Sequence, residues 1–409
     1  MTLRRTIIAA LAVFLAPSTG QEIYDLLLKN GHVIDPKSGR NDRFDVAIIG
    51  KKIAHIGQNL PATHARNAVD VSQYYVTPGL IDIHAHFDAQ GAGLNLQPDH
   101  TALSNGVTTA VDAGSCGWKN FEAFKEKVID RSKTRLLAFL NIAGAGAYGD
   151  VDELDPGAAA RMVRRHPDIL VGITAAHVEA GRREALNRAV KAAELSKTPL
   201  MVAYHPQSGS EYRELILKHL RPGDIQTHCY GLLLPLLDAG KKVLPHVWEA
   251  RRRGILFDVG HGAGGFWFRV AVPAIQQEFL PDTISTDVNK ESIMLPRADT
   301  MTTMSKFLNM GLTLEQVLER ATVNPARAIR RPELGMLSEG AIADLAVLEL
   351  RRGRFGFLDS GHGKLIGDKK LFCVLTLRNG EVVWDAEGLT QPEWKNASGP
   401  YDLFYSNFK

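Results

Sequence analysis

Short runs of apolar or alternating residues near both ends of the chain predict β-strands. They occupy residues 22–28, 44–49 and 52–56, and later residues 343–350, 373–378 and 381–384. The dipeptide Asn379-Gly380 between the last two runs is typical of a two-residue hairpin turn. No helix is predicted before residue 78. We expect the two strand-rich ends to form one small sheet domain.

Between these ends, buried strands alternate with amphipathic helices. The predicted strands are residues 80–86, 107–112, 135–142, 169–174, 200–205, 225–228, 255–258 and 283–287. The predicted helices are residues 121–132, 156–166, 182–196, 211–220, 245–253 and 300–309, followed by helical sequence over 313–328. Eight such strands predict an α/β fold, a (β/α)8 TIM barrel. An open doubly wound sheet usually has a glycine-rich phosphate loop after its first strand, and Gly91 and Gly93 do not fit that pattern.

Length and composition agree with a barrel and a smaller domain. The chain has 409 residues, of which 45% are hydrophobic, so it is too long for one ordinary domain. We expect the sheet domain at residues 21–77 and 335–390, the barrel at 78–334 and a tail at 391–409. The formal charge of +3 gives no indication of a nucleic-acid partner. We expect a small-molecule substrate, and the sequence leaves open whether the protein forms a homo-oligomer.

The first twenty residues resemble a secretory signal peptide. Arg4 and Arg5 precede an apolar run at residues 7–15, and small residues follow at 16–20. We therefore expect a periplasmic or secreted protein, the alternative being an uncleaved amphipathic or disordered leader. The run is too short to span a membrane, and no other stretch approaches 18 apolar residues, so no membrane partner is expected. The three cysteines have no spacing that indicates a disulfide framework.

The end of the first barrel strand carries two histidines, His84 and His86. Strand side chains alternate, so both imidazoles lie on one side and can share a metal ion. His205, His228 and Asp287 end later strands, and the active sites of such barrels lie at these strand ends. Alone, His205 or His228 would more often be a hydrogen-bonded core residue. Together these groups suit a divalent metal such as zinc, which can lower the pKa of a bound water to about 7.

Several motifs in order resemble the amidohydrolase superfamily, and within it the dihydroorotase-like amidohydrolase/deacetylase branch. They are PGLIDIHAH (78–86), GVTT (106–109), RPGD (221–224), TH (227–228), FDVGHG (257–262), ISTD (284–287), NPA (324–326) and GAIADL (340–345). The resemblance covers nearly the whole chain after the leader. It implies a metal-dependent hydrolase with a TIM barrel and a composite β-sandwich from both termini.

The resemblance also implies roles for individual residues. His84 and His86 would bind one metal together with Asp287, and Asp287 would act as the general base that moves a proton from water to the leaving group. His228 would belong to a second metal or to the substrate's side of the site. His261 is a candidate for substrate contact, the alternative being a structural or solvent-exposed loop histidine.

Two departures from the family pattern concern the number of metal ions. Relatives with two metals have a carboxylated lysine at the end of the fourth strand, where this chain has Thr174. Many also have a ligand histidine on the fifth strand, at the position of Ala203, whereas His205 lies two residues later. One zinc ion is therefore favoured over two, unless another ligand bridges a second ion. The candidates for that bridge are Cys116, Glu179 and Asp112.

These observations favour hydrolysis of an amide or acyl ester of a small carboxylate-bearing substrate, with deacetylase-like action. The first alternative is a cyclic amidase of the dihydroorotase or hydantoinase type, against which Thr174 argues because such relatives depend on two metals. The second is a barrel that binds metal or ligand without turnover. The retained Asp287 argues against that alternative, because a binding site does not need a proton shuttle.

Overall fold

A computed structural model describes residues 23–87, 96–147, 149–176, 182–203 and 210–397. The strands are β1 (Tyr24–Asp35), β2 (Arg40–Ile49), β3 (Lys52–Gly57), β4 (Ala65–Asp70), β5 (Tyr75–Pro78), β6 (Leu80–Ala85), β7 (Val107–Gly117), β8 (Arg135–Asn141), β9 (Leu170–Ala175), β10 (Leu200–Val202), β11 (Ile225–Gln226), β12 (Leu256–Phe257), β13 (Leu345–Leu358), β14 (Lys364–Arg378) and β15 (Glu381–Asp385). The predicted leader at residues 1–20 lies outside the described residues.

The helices cover the barrel. They are α1 (Pro98–Leu103), α2 (Phe121–Lys127), α3 (Pro156–Arg165), α4 (Arg182–Ser196), α5 (Ser210–His219), α6 (Pro245–Arg252), α7 (Phe268–Gln276), α8 (Thr300–Asn309), α9 (Leu314–Glu319) and α10 (Val323–Ala328). The sequence pattern missed α1, which has only six residues, and α7, which contains Pro273. No helix in the described part of the chain has the length and hydropathy needed to cross a membrane.

The two ends of the chain form one sheet domain, as predicted. Its strand order is β15-β14-β13-β5-β1-β2-β3, with β4 paired to β1. The ends meet where β5 pairs with β13, with Val76 opposite Val347. The turn between β14 and β15 is the expected Asn-Gly turn, with positive φ at Asn379 and Gly380. Strands β4 and β5 were missed, because β4 is largely exposed and lacks a clear apolar alternation.

The barrel contains a parallel sheet in the order β12-β11-β10-β9-β8-β7-β6. The prediction of a regular eighth strand at residues 283–287 is wrong. This segment closes the barrel through two single bridges, Asp258 to Thr283 and Ala85 to Val288. The left-handed backbone of Asp287 (φ 47°) interrupts the extended conformation there, and the Ile284 amide donates to the Arg320 carbonyl. The (β/α)8 architecture holds with an irregular last member.

Two hydrophobic clusters determine how the first barrel strand presents its histidines. Ile83 belongs to the cluster inside the barrel with Phe139, whereas Ala85 packs in the layer between strands and helices. The pairing of β6 with β7 is irregular between Asp82 and Ala85. Regular alternation from Ile83 would place Ala85 inside the barrel and its two neighbours outside. The irregularity reverses this alternation, so His84 and His86 face the inside of the barrel at the end of the strand.

Candidate metal centre

His84, His86 and Asp287 meet at the carboxyl end of the barrel, and their ligand atoms all lie within 4.8 Å of one another. The Nε2 atoms of His84 and His86 lie 3.5 and 3.0 Å from Asp287 Oδ1. The two imidazole side chains are only 3% exposed, whereas that of Asp287 is 14% exposed. Two nitrogens and one carboxylate oxygen in this arrangement match the donor set that zinc prefers.

A chain of hydrogen bonds fixes the protonation of His84. The Thr227 hydroxyl donates to Asp258 Oδ2 at 2.7 Å, and His84 Nδ1 lies 2.9 Å from the same hydroxyl. Because that hydroxyl has one proton and gives it to Asp258, it must accept from His84 Nδ1. Nδ1 therefore carries the proton, and the lone pair of Nε2 faces Asp287. This is the orientation that a metal-binding histidine requires.

Asp258 is the end of that chain and is completely buried. Its carboxylate also accepts hydrogen bonds from the hydroxyls of Thr283 (2.6 Å) and Ser285 (2.7 Å). Burial opposes ionisation, but the neighbouring His84 and these hydroxyl donors lower the pKa of Asp258. The ionised carboxylate thus anchors the group that orients His84.

His86 is held from the neighbouring strand β7. Its Nδ1 lies 2.9 Å from the Ser115 hydroxyl. Asp112 positions this region by accepting hydrogen bonds from the backbone amides of Phe87, Gly114 and Ser115. These three amides engage both carboxylate oxygens of Asp112, and its role as a bridging ligand stays a prediction. The three hydrogen bonds fix the backbone at the ends of β6 and β7.

The charges of the three grouped residues favour a bound cation. Burial favours the neutral form of Asp287, yet His84 and His86 hold the pKa of its carboxyl well below the usual value. Burial likewise favours the neutral form of His84, but the carboxylates of Asp287 and Asp258 raise its pKa. Burial raises the pKa of the underlying Asp82 to about 6. The buried carboxylates thus attract positive charge to the point where the Nε2 atoms meet.

His228 lies beside this group without being one of its three members. Its ring centroid is 5.1 Å from that of His84, and its Nδ1 donates to the Gly260 carbonyl at 2.6 Å, which leaves a lone pair on Nε2. Burial lowers the pKa of His228 to about 4. Its φ of 55° is unusual for a residue other than glycine. The role of His228 at a second metal or beside the substrate stays a prediction.

A glycine-rich loop after β12 packs directly against these residues. A Cβ on Gly262 would lie 2.0 Å from Asp287 Oδ2, and one on Gly265 would lie 2.3 Å from His228 Nδ1. Gly262 also has a positive φ of 47°. Only glycine allows the loop backbone to approach the site so closely.

His261 lies within this loop and is completely buried. Its ring stacks on Phe266 at 4.7 Å between centroids, and its Nε2 lies 2.6 Å from Lys306 Nζ. These contacts are those of a structural residue, and its proposed contact with substrate stays a prediction. Lys306 was missed from the sequence, although a lysine among the apolar residues of α8 is a signal that could have identified it. Burial lowers the pKa of Lys306 to about 7.

Among the described residues, few side chains at the expected positions of a second metal can serve as ligands. Thr174 is buried at the end of β9, and among the described residues its hydroxyl has no hydrogen-bond partner. Ala203 is buried just after β10 and offers no ligand atom. Cys116 is buried in β7 and does not belong to the group of three. His205 and Glu179 lie outside the described residues, so their predicted roles are untested.

Comparisons with known proteins agree with this architecture. The family model described as "Amidohydrolase family" matches residues 269–383. A deacetylase from Brucella anthropi is 32% identical over 347 residues, which cover 81% of this chain and 86% of that protein. A solved structure of an adenine deaminase superposes with a TM-score of 0.80 at 27% identity, and one of a dihydroorotase with 0.78 at 28%. Each of the two superpositions covers 88% of this chain and 99% of the chain in the solved structure.

Proposed function

The chain belongs to the amidohydrolase family and is a metal-dependent hydrolase acting on C–N bonds, and from this premise we propose that it is a deacetylase. It would use one zinc ion and act on a small substrate that bears a carboxylate. The observation that carries the proposal is the convergence of His84, His86 and Asp287 with ligand atoms within 4.8 Å of one another. The deacetylase name of the relative from Brucella anthropi supports the choice of an acyl group. An acyl ester is the second bond type that this chemistry covers.

One ion is proposed because two of the described residues at the second position, Thr174 and Ala203, supply no metal ligand. Thr174 cannot carry the carboxylate that bridges two ions, and its buried surroundings leave little space for a larger group, since a Cβ on Gly114 would lie 2.3 Å from Thr174 Cγ2. Ala203 removes a second ligand. Without a shared anion, the repulsion between two divalent cations is not compensated.

Asp287 is proposed to move the proton. Zinc bound at the site would polarise the substrate carbonyl and activate the attacking water. Asp287 Oδ1 faces both Nε2 atoms, so its second oxygen can take a proton from water and give it to the leaving nitrogen or oxygen. Its greater exposure than that of the imidazoles leaves the carboxylate accessible from the mouth of the barrel.

The proposal also includes export. The basic, apolar and small-residue segments of residues 1–20 support a signal peptide and hence a periplasmic or secreted enzyme. The test is to determine the N-terminal residue of the protein isolated from the periplasmic fraction and from the cytoplasmic fraction. Cleavage near residue 20 in the exported fraction is expected, and an intact leader on all of the protein would contradict it.

The test of function is a substrate panel assayed with the natural protein and two variants. The panel contains N-acetyl amino acids, O-acetyl hydroxy acids and cyclic ureides. We expect hydrolysis of an acetylated substrate, and a loss of about 10³-fold in kcat in Asp287→Asn, because a general base contributes that much. Asp130→Asn, at an exposed carboxylate paired with Lys125, is the control and should retain full activity.

The outcomes separate the candidate functions. Turnover of cyclic ureides alone would favour the cyclic amidase, a candidate supported by the dihydroorotase among the similar structures. Equal rates for Asp287→Asn and the natural protein would refute the role of Asp287. Binding of acetylated substrates without turnover would identify a barrel that has lost its activity.

A further inference from the structure

The long hairpin β13–β14 extends from the sheet domain to the barrel. Its two strands have 14 and 15 residues, and its tip is the turn at residues 359–363. The Ser360 amide donates to the Phe266 carbonyl at 2.8 Å, and the Ser360 hydroxyl accepts from the Phe266 amide at 3.1 Å. The same hydroxyl lies 3.3 Å from the carbonyl oxygens of both His261 and Gly262. The tip therefore binds the backbone of the glycine-rich loop.

The tip itself is closely fitted and internally hydrogen-bonded. Asp359 is buried, and its carboxylate accepts from the amides of Gly361 (2.9 Å) and Gly363 (2.7 Å) within the turn. Its other oxygen accepts from the Phe268 amide of the barrel at 3.0 Å. A Cβ on Gly361 would lie only 1.8 Å from Trp267 Cζ3, so the turn leaves no space against this ring.

The other side of the same loop faces the metal centre. The Gly260 carbonyl fixes His228 through its hydrogen bond to Nδ1, and the space around Gly262 is limited by Asp287 Oδ2. A displacement of the loop by a few tenths of an ångström would therefore move the groups that define the site. The loop is confined between the hairpin tip and the metal centre.

A buried pair fixes the loop from a third direction. The Nδ1 of His261 lies 3.0 Å from the Gly262 carbonyl, which can only accept, so Nε2 accepts a hydrogen bond from Lys306 Nζ of α8. Lys306 is completely buried, and the His261 ring stacks on Phe266, the residue that Ser360 binds. The buried pair of His261 and Lys306 and the hairpin tip thus both contact Phe266 of the loop.

We infer that the hairpin tip at residues 359–363 is a positioning element of the metal site, contributed by the sheet domain. Together with Lys306 it fixes the loop at residues 260–266, and the loop in turn orients His228 and borders Asp287. Ser360 and Gly361 are positioning residues, since neither touches the reacting atoms. The inference rests on the proposed metal site, and it gives the composite sheet domain an indirect part in the site, through the position of the loop.

The test compares two identical substitutions in the same hairpin. Gly361→Ala places a methyl group against Trp267, whereas Gly356→Ala is a matched control, because the nearest atom to its Cβ would be Lys364 Cδ at 3.6 Å. Ser360→Ala is a milder variant that removes only the hydroxyl. The readouts are hydrogen exchange of the amides at residues 260–268 and the dissociation constant for zinc, measured on metal-free protein by competition with a chromophoric chelator.

We expect Gly361→Ala and Ser360→Ala to accelerate exchange in the loop and to weaken zinc binding about tenfold, as changes in groups that support metal ligands do. Gly356→Ala should match the natural protein in both. Unchanged exchange in Gly361→Ala and Ser360→Ala, or faster exchange with unchanged zinc affinity, would overturn the inference. If the natural protein bound no zinc, the proposed function would fail instead, and exchange would still decide whether the tip holds the loop.

Discussion

The Thr227 hydroxyl offers the sharpest test of how the protein prepares a histidine for metal binding. It accepts a hydrogen bond from His84 Nδ1 at 2.9 Å and donates one to Asp258 at 2.7 Å. Thr227→Val removes both bonds while nearly conserving the volume of the side chain. The ring of His84 then loses the acceptor that fixes its tautomer and orientation, since Asp258 Oδ2 is 3.7 Å from Nδ1.

The size of the effect on metal affinity and on stability follows from the contacts that are lost. Loss of a partner that orients a metal-bound histidine costs about 10- to 100-fold in metal affinity, which corresponds to about 1.4–2.7 kcal/mol of binding free energy. The buried donor and acceptor left without a partner also cost about 2 kcal/mol in the free energy of unfolding. Thr227 is completely buried, so solvent water cannot supply the two hydrogen bonds that the variant loses.

Thr283→Val is the matched control. Thr283 donates to the other oxygen of Asp258 at 2.6 Å and has no hydrogen bond to His84. We expect a comparable loss of about 1–2 kcal/mol in stability from this variant, with zinc affinity close to that of the natural protein. Titration of both metal-free variants with zinc in the presence of a competing chelator, with urea unfolding in parallel, measures the two effects separately. Equal zinc affinity in the two variants would refute the role of Thr227.

Three further predictions concern the loop, the missing lysine and the metal. Gly262→Ala should lower kcat by about 100-fold in a steady-state assay, because its Cβ would lie 2.0 Å from Asp287 Oδ2 and displace the proposed general base. Full activity would contradict the assigned geometry. Thr174→Lys should give no gain in activity, because Thr174 is packed against Gly114 and Ala203 supplies no second ligand; a large gain would mean that the natural site is impaired. Removal of metal by a chelator should lower Tm, and zinc at 100 times its Kd should restore about 2.7 kcal/mol of stability; a Tm insensitive to both would exclude a bound ion in the folded protein.

The sequence predicted those parts of the fold that depend on hydrophobic periodicity. The barrel, the composite sheet domain and the Asn379-Gly380 turn follow from local patterns that the structure preserves. The prediction of a regular last barrel strand was wrong, because Asp287 adopts a left-handed backbone conformation that a pattern of apolar residues does not indicate. The pattern also stopped the hairpin β13–β14 too early, because its distal half is largely exposed and carries many charged residues.

The grouping of His84, His86 and Asp287 was predictable from strand ends and the family motifs. The roles of Thr227 and Asp258 were not, because they depend on a hydrogen bond between side chains of different strands. The hairpin tip was missed for the same reason, since it reaches the site through contacts between residues distant in sequence, whereas Lys306 could have been identified as a lysine among the apolar residues of α8. Such contacts have no period that a sequence can display.

The zinc content of the purified protein tests the central claim most directly. It should be measured by elemental analysis on the natural protein and on the double variant His84→Ala, His86→Ala, after both are loaded with zinc and desalted. The account predicts about one equivalent per chain in the natural protein and close to none in the variant, because the variant loses two of three ligands. Two equivalents in the natural protein, or the same content in both proteins, would contradict it.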